Sequence, residues 1–206
     1  MEILKLLVAP HAVPALAIMT ETGILVTVLG GVPYLASFAN LTKLEHLMGA
    51  GADPVRRLGA LAVSVPEDAD RLFQRLRLTG AEAARLASIG DHWRRMVPDS
   101  DRDSRAQLYR LGPERFVDRT LVAWSRSPAA VADDSWRALA TLPARWIIPV
   151  FPLKAADFIK RGLPKGPPLG AALRAAEESW IAADFPSDVE AIEQIVDTAA
   201  NAVTTT

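Results

Sequence analysis

FPLKAADFIKRGLPKGPPLGAALRAAEESWIAADF, residues 151–185, is the stretch whose reading decides the fold. Its spacing predicts helix, tight turn, helix. The first helix closes over Asp157 to Arg161 and stops at Gly162, because glycine adopts the left-handed conformation past a helix end without steric cost. Pro164, Pro167 and Pro168 bar helix until a proline can stand at the first helical position. A second helix follows from Leu169 to Ala183, with Leu169, Leu173, Ala176 and Trp180 on one face. Between residues 151 and 175, Lys154, Lys160, Arg161, Lys165 and Arg174 stand against Asp157 alone, a net charge of +4. A turn carrying Gly162, Gly166 and Gly170, ringed by cations, therefore opens onto the amides of a helix N-terminus. Such a place suits a phosphate.

Outward from this stretch the chain is punctuated as helix throughout. Asp53 then Pro54 reads as the cap and first position of a helix to Val63. Pro66 starts another, to Leu76. Thr79 and Glu82 have capping-box spacing for a helix to Met96. Pro98 to Asp103 reads as a loop, and Ser104 to Leu111 as a short helix closed by Gly112. Pro113 starts a helix to Ser125. Asp133 to Leu142 is helical up to Pro143, and Trp146 to Pro152 is extended between its prolines. Ser187 and Glu190 open a last helix from Asp188 to Ala200, and Thr204 to Thr206 is a frayed end. Strand signals are scarce and no repeat recurs at a fixed period. The expected fold is all-α, an elongated helical array divided into residues 1–126 and 127–206, with the basic helix-turn-helix in the second part.

The pattern Pro-Leu-x-x-x-Asp (152–157), Gly-Leu-Pro-x-Gly-Pro-x-Leu-Gly (162–170), Leu173 and Glu-Glu-x-Trp (177–180) resembles the C-terminal region of bacterial CCA-adding tRNA nucleotidyltransferases, which belong with the poly(A) polymerases. YRLGPERFVDRTLVAWS (109–125) and RLRLTGAEAARLAS (75–88) are similar to body helices of that family, and LKLLVAPHAVPALAIMTETGIL (4–25) looks like its neck. The resemblance spans about Leu4 to Phe185. It implies the neck, body and tail of a class II CCA-adding-enzyme-like protein. In that family a catalytic head adds C, C and A to the tRNA 3′ end with magnesium and CTP and ATP, and the neck, body and tail hold the tRNA. The head's Gly-Ser nucleotide loop, its Arg-Asp and its Asp-x-Asp metal pair have no counterpart here. Asp101-Arg102-Asp103 has the aspartate spacing, but lies in the hydrophilic run PDSDRDSR (98–105) with no apolar strand to present it. The resemblance thus implies RNA binding without catalysis or a cofactor of its own, a head supplied upstream or by a separate chain, and a cytoplasmic setting.

Composition fits a soluble helical domain: 206 residues, 50% apolar, 23% charged, and no cysteine for disulfides or thiolate metal sites. A formal net charge of −1 gives no global attraction to nucleic acid. It conceals an uneven distribution, since no basic residue follows Arg174 while Glu177, Glu178, Asp184, Asp188, Glu190, Glu193 and Asp197 are acidic. Thr22 to Thr42 is uncharged, but Gly30-Gly31-Val32-Pro33 breaks it, so it reads as helix, turn, helix rather than a membrane span.

The RNA-binding candidates are Lys154, Lys160, Arg161, Gly162, Lys165, Gly166, Gly170 and Arg174, joined by Arg105, Tyr109 and Arg110. The last three belong to a run that includes Arg94, Arg95, Arg102, Arg115, Arg119 and Arg126, with Trp93 and Tyr109 available to stack on bases. That run reads equally as a salt-bridged solvated surface. Trp124, Trp136, Trp146 and Trp180 read as core. His11, His46 and His92 are scattered, form no His-Asp pair and have no metal-ligand spacing. Leu4, Leu6, Leu7, Leu16, Ile18 and Ile24 of the neck would lie exposed without a head and favour a homodimer. The alternatives from other classes are a helical protein-interaction scaffold that has lost tRNA, and one subunit of a split nucleotidyltransferase.

Overall fold

Local helix signals carry through to the whole molecule. The computed structural model describes residues 2–204, and among the described residues there are fourteen α-helices, one 3-10 turn and no strand. The helices are α1 (Glu2–Leu7), α2 (Ala12–Glu21), α3 (Ile24–Leu29), α4 (Leu35–Leu47), α5 (Pro54–Ala62), α6 (Pro66–Leu76), α7 (Gly80–Gly90), α8 (Asp101–Leu111), α9 (Pro113–Arg126), α10 (Asp134–Ala140), α11 (Leu142–Arg145), α12 (Ala155–Ile159), α13 (Pro167–Ala182) and α14 (Val189–Thr204). They form two compact units, Met1–Asp99 with Leu111–Arg145, and Ser100–Arg110 with Trp146–Thr206. The sequence division at 126/127 falls inside the first unit, and most of α8 belongs to the second.

The first unit is organised around α5. Pro54 stands at its start, and Asp53 Oδ1 accepts the Arg56 amide at 2.8 Å. Val55 to Ala62 are all buried, against α1, α4, α7 and α9. Two of these buried residues are arginines, and carboxylates answer them. Glu45 of α4, 1% exposed, accepts the Nε–H groups of Arg56 at 2.9 Å and Arg57 at 2.7 Å. Asp118 of α9 accepts Nε and Nη2 of Arg85 at 2.8 and 3.0 Å, and Asp53 accepts the same Nη2 at 3.0 Å. Glu45, Asp53 and Asp118 thus balance Arg56, Arg57 and Arg85, so each charge of this group has an opposite. Burial pushes the Asp118 carboxyl up to about 6, against the pull of Arg85 and Arg56.

In the second unit, Phe158 of α12, Leu163 of the turn, Ala172 and Ala176 of α13, and Val196, Ala199 and Ala200 of α14 make one core. Alanine at the α13–α14 seam lets the two helices approach closely. Beside it, the Trp180 ring meets Tyr109 at 5.7 Å, Phe151 at 5.4 Å and Phe185 at 5.0 Å. The Trp180 Nε1–H donates to the Pro186 carbonyl at 2.8 Å.

Several element boundaries differ from the sequence reading. Asp101 to Asp103 is the first turn of α8, not loop, because Ser100 Oγ accepts the Asp103 amide at 3.1 Å and caps the helix. The helix opened by Thr79 ends at Gly90 rather than Met96. There Asp91 turns to the buried Arg119 (3.1 Å) and the Trp93 indole donates to the Ser64 carbonyl (3.0 Å), which requires a break in the helix. Asp91 also contacts the neighbouring His92 ring, a His-Asp pair the sequence reading did not allow for. Pro143 lies in the first turn of α11 instead of ending a helix. The last helix is capped by Asp188, whose Oδ1 accepts the Ala191 amide at 2.8 Å, and it reaches Thr204; residues 205 and 206 of the expected frayed end lie outside the described residues. Leu7 and Leu16, expected at an exposed neck, are fully buried, whereas Ile18 is 61% and Ile24 51% exposed. Trp124, Trp136 and Trp180 are buried, and Trp146 is half-buried against Phe185. Among the described residues no helix is long and apolar enough to cross a membrane.

Candidate functional site

All eleven candidate residues fall in the second unit. α12 ends at Ile159, and the chain turns at Gly162, whose φ of +88° is the left-handed value expected of it. Leu163 then plugs the core, its amide donating to the Phe158 carbonyl at 3.2 Å. Pro164 to Pro167 run exposed. Gly166, at φ +122°, is the residue before α13, and its carbonyl accepts the Gly170 amide at 3.3 Å.

This geometry changes where the positive potential comes from. Pro167 and Pro168 occupy the first two positions of α13 and have no N–H to offer. With the Gly170 amide already used, the helix N-terminus contributes less to an anion than the sequence reading supposed. The cationic side chains carry the site instead. Lys154, Lys160, Lys165 and Arg174 are exposed, and none has a carboxylate partner among the described residues. Asp157, the one acid of the cluster, is occupied in accepting the Lys154 amide at 2.8 Å. Arg161 is different: its Nε donates to Asp197 of α14 at 2.5 Å.

Arg105, Tyr109 and Arg110 are also engaged. Arg105 pairs with Asp184 at 2.7 Å and Arg110 with Glu178 at 2.5 Å, while the Tyr109 hydroxyl donates to Glu177 at 2.6 Å. Burial, and then the Glu177 carboxylate, pushes Tyr109 up to about 12. These three tie α8 to the α13 segment, so their first role is to hold the unit together.

A second polar constellation, in the first unit, was not legible from the sequence. Arg126, at the end of α9, donates Nη2 to the carbonyls of Gly59 (3.2 Å), Ala60 (3.2 Å) and Val63 (2.7 Å), and Nε to Ser37 Oγ (3.2 Å). Its guanidinium lies 4.5 Å from the Trp93 ring centre and 5.4 Å from that of Tyr34. It has no carboxylate partner among the described residues, and its Nη1 is buried without an acceptor. Burial pushes it down to about 10. It borders a cavity of about 650 Å³ that also takes in Tyr34, Asn40, Ser64, Trp93 and Arg94. Its partners are backbone carbonyls more than 60 residues away, which no sequence motif encodes.

No group of three or more His, Asp or Glu among the described residues is placed to hold a metal ion. Asp101 and Asp103 are exposed in the first turn of α8. No protein-family model matches the chain, and no curated protein matches it.

Proposed function

We propose that this chain binds tRNA through the phosphate backbone, as the tRNA-holding portion of a CCA-adding-enzyme-like system. The observation that supports the reading is the group of four exposed cations, Lys154, Lys160, Lys165 and Arg174, around the Gly162–Gly166 turn without carboxylate partners among the described residues. Cations already paired at a surface are screened and spoken for; unpaired ones remain available to phosphates. Such contacts position the nucleic acid and carry no base information. Nucleotide addition is assigned to a catalytic head whose motifs this sequence does not contain, with magnesium and CTP and ATP acting there. The chain by itself then incorporates no CMP or AMP.

The test is tRNA binding by the full chain and by the Lys160→Ala/Arg161→Ala/Lys165→Ala variant over a range of salt. Binding of the parent chain falls steeply with salt, and the variant binds several unrelated tRNAs more weakly by a similar factor with its circular dichroism unchanged. Undiminished affinity in a folded variant would remove this site from the reading.

A further inference from the structure

The cavity beside Arg126 asks for an explanation separate from tRNA. Two guanidiniums, Arg94 and Arg126, each lie 4.5 Å from the centre of the same indole, that of Trp93. The Arg94 charge disfavours that of Arg126, and no acidic residue lines the cavity. One explanation is that Arg126 merely caps the C-terminal carbonyls of α5. That accounts for Nη2, but not for a second cation on the same ring. Among the neutral lining groups, Ser127 Oγ donates to the Trp124 carbonyl, Ser37 Oγ is paired with Ser125 Oγ and the Asn40 amide donates to the Ser125 carbonyl, which leaves the hydroxyls of Tyr34 and Ser64 without an acceptor among the described residues. The first turn of α4 also borders the cavity and begins without a side-chain cap.

We propose that this cavity in the first unit binds a phosphate group, met at its mouth by Arg94 and held from behind by Arg126. Arg94 is exposed and only loosely placed, its Nη2 reaching Ser64 Oγ at 3.3 Å, so it is free to close on an oxyanion. Arg126 is fixed by its carbonyl bonds, and its Nη1 is shut off from solvent, so it contributes field rather than a direct contact. An anion in the cavity offsets their repulsion. Two cations with the Tyr34 and Ser64 hydroxyls match a phosphate, with its charge and many acceptor oxygens, better than a carboxylate. The phosphate has two sources with the same chemistry, an RNA phosphate or a small phosphate ester.

Calorimetric titration of the full chain with inorganic phosphate at constant ionic strength tests this, with the Trp93 indole N–H resonance, assigned through Trp93→Phe, reporting the location. One saturable site that shifts the Trp93 signal is expected. Arg94→Gln, an exposed substitution that leaves the fold intact, weakens it at least about tenfold, the loss typical of one charge-assisted hydrogen bond. The Lys160/Arg161/Lys165 alanine variant leaves it unchanged. Displacement of phosphate by a 5′-phosphorylated RNA oligonucleotide identifies the nucleic-acid source, and displacement by glycerol phosphate alone identifies a small ester. Absence of saturable binding, or binding that survives Arg94→Gln and disappears in the triple variant, overturns the proposal.

Discussion

Gly59 of α5 lies directly against Ile89 of α7: a Cβ at residue 59 would stand 2.5 Å from Ile89 Cδ1 and 3.4 Å from its Cγ2. The two helices meet so closely here that a Cβ at residue 59 requires the Ile89 side chain to move. Gly59→Ala gains up to about 1 kcal/mol of helix propensity but overpacks a fully buried contact at a cost of about 1–3 kcal/mol. A net loss in chemical denaturation is expected. Ile89→Val removes the clashing methyl, so in that background Gly59→Ala becomes neutral or stabilising. A substitution equally harmful in both backgrounds would place the strain elsewhere.

Glu45 serves two buried guanidiniums at once. Replacing it by glutamine keeps its shape but leaves Arg56 and Arg57 short of a counter-charge. Removal of one member of a buried ion pair costs about 3–5 kcal/mol. Urea midpoints of Glu45→Gln against the parent chain measure this, and a shift under 1 kcal/mol shows that the arginines find compensation in the carbonyls of Gly51 and Leu7, which they already reach at 3.0 and 2.7 Å.

Asp68 gives a pH signature. Burial raises its carboxyl, but the amides of Ser64 (2.7 Å) and Val65 (3.1 Å) and the Arg71 guanidinium outweigh this and hold it below the usual aspartate range. A depressed pKa means that the stabilisation is present above the unfolded-state value, about 3.9, and is lost as pH falls through the folded value. Asp68→Asn is expected to cost about 1 kcal/mol at pH 7, as for a lost helix cap. The difference from the parent chain should narrow as pH falls below the unfolded-state value of about 3.9. Thermal melts at pH 7, 5 and 3 decide it, and a gap that stays constant across them would contradict the assignment.

Within the basic turn the cations are not equivalent. Lys165 has no carboxylate partner among the described residues, whereas Arg161 is held by Asp197. Lys165→Ala should reduce the salt dependence of tRNA binding by about one unit in the log-log slope. Arg161→Ala should do less, and Asp197→Asn should tighten binding by releasing Arg161. Equal effects of Lys165→Ala and Arg161→Ala would show that the Asp197 pair gives way in the complex.

Ile18 and Ile24 expose 61% and 51% of their surface in the first unit. Concentration-dependent sedimentation is expected, and Ile18→Lys with Ile24→Lys should suppress it. A single monomeric species at every concentration of the parent chain excludes association through this face.

What was legible in the sequence was what is decided within a few residues. Asp53 before Pro54, Thr79 before Glu82 and Gly162 after α12 each fix a helix end by local hydrogen bonds or φ, and each holds. The N-terminal signal at Ser100 was also local, a serine three residues before Asp103, but the density of charge in 98–105 obscured it. What depended on distant partners was not legible. Nothing in the run from Arg94 to Arg126 distinguishes an arginine that will sit beside an acid, as Arg119 does with Asp91, from one that will face carbonyls and aromatic rings, as Arg126 does. Likewise Lys165 and Arg161 look alike in sequence. Only the placement of α14, which brings Asp197 to one of them, separates them.

The discontinuity of the second unit sets an order of events during synthesis. The Ser100–Arg110 part of α8 is made early, yet the side chains that receive it, Glu177, Glu178, Trp180 and Asp184, follow only after Leu111–Arg145 has gone into the first unit. Until α13 emerges, Tyr109 has no ring to meet, Arg110 has no acid, and Arg105 has only Asp101 of its own helix. A nascent chain from which Arg145 has cleared the ribosome but α13 has not therefore displays Tyr109 and Arg110 without the partners that the finished protein gives them.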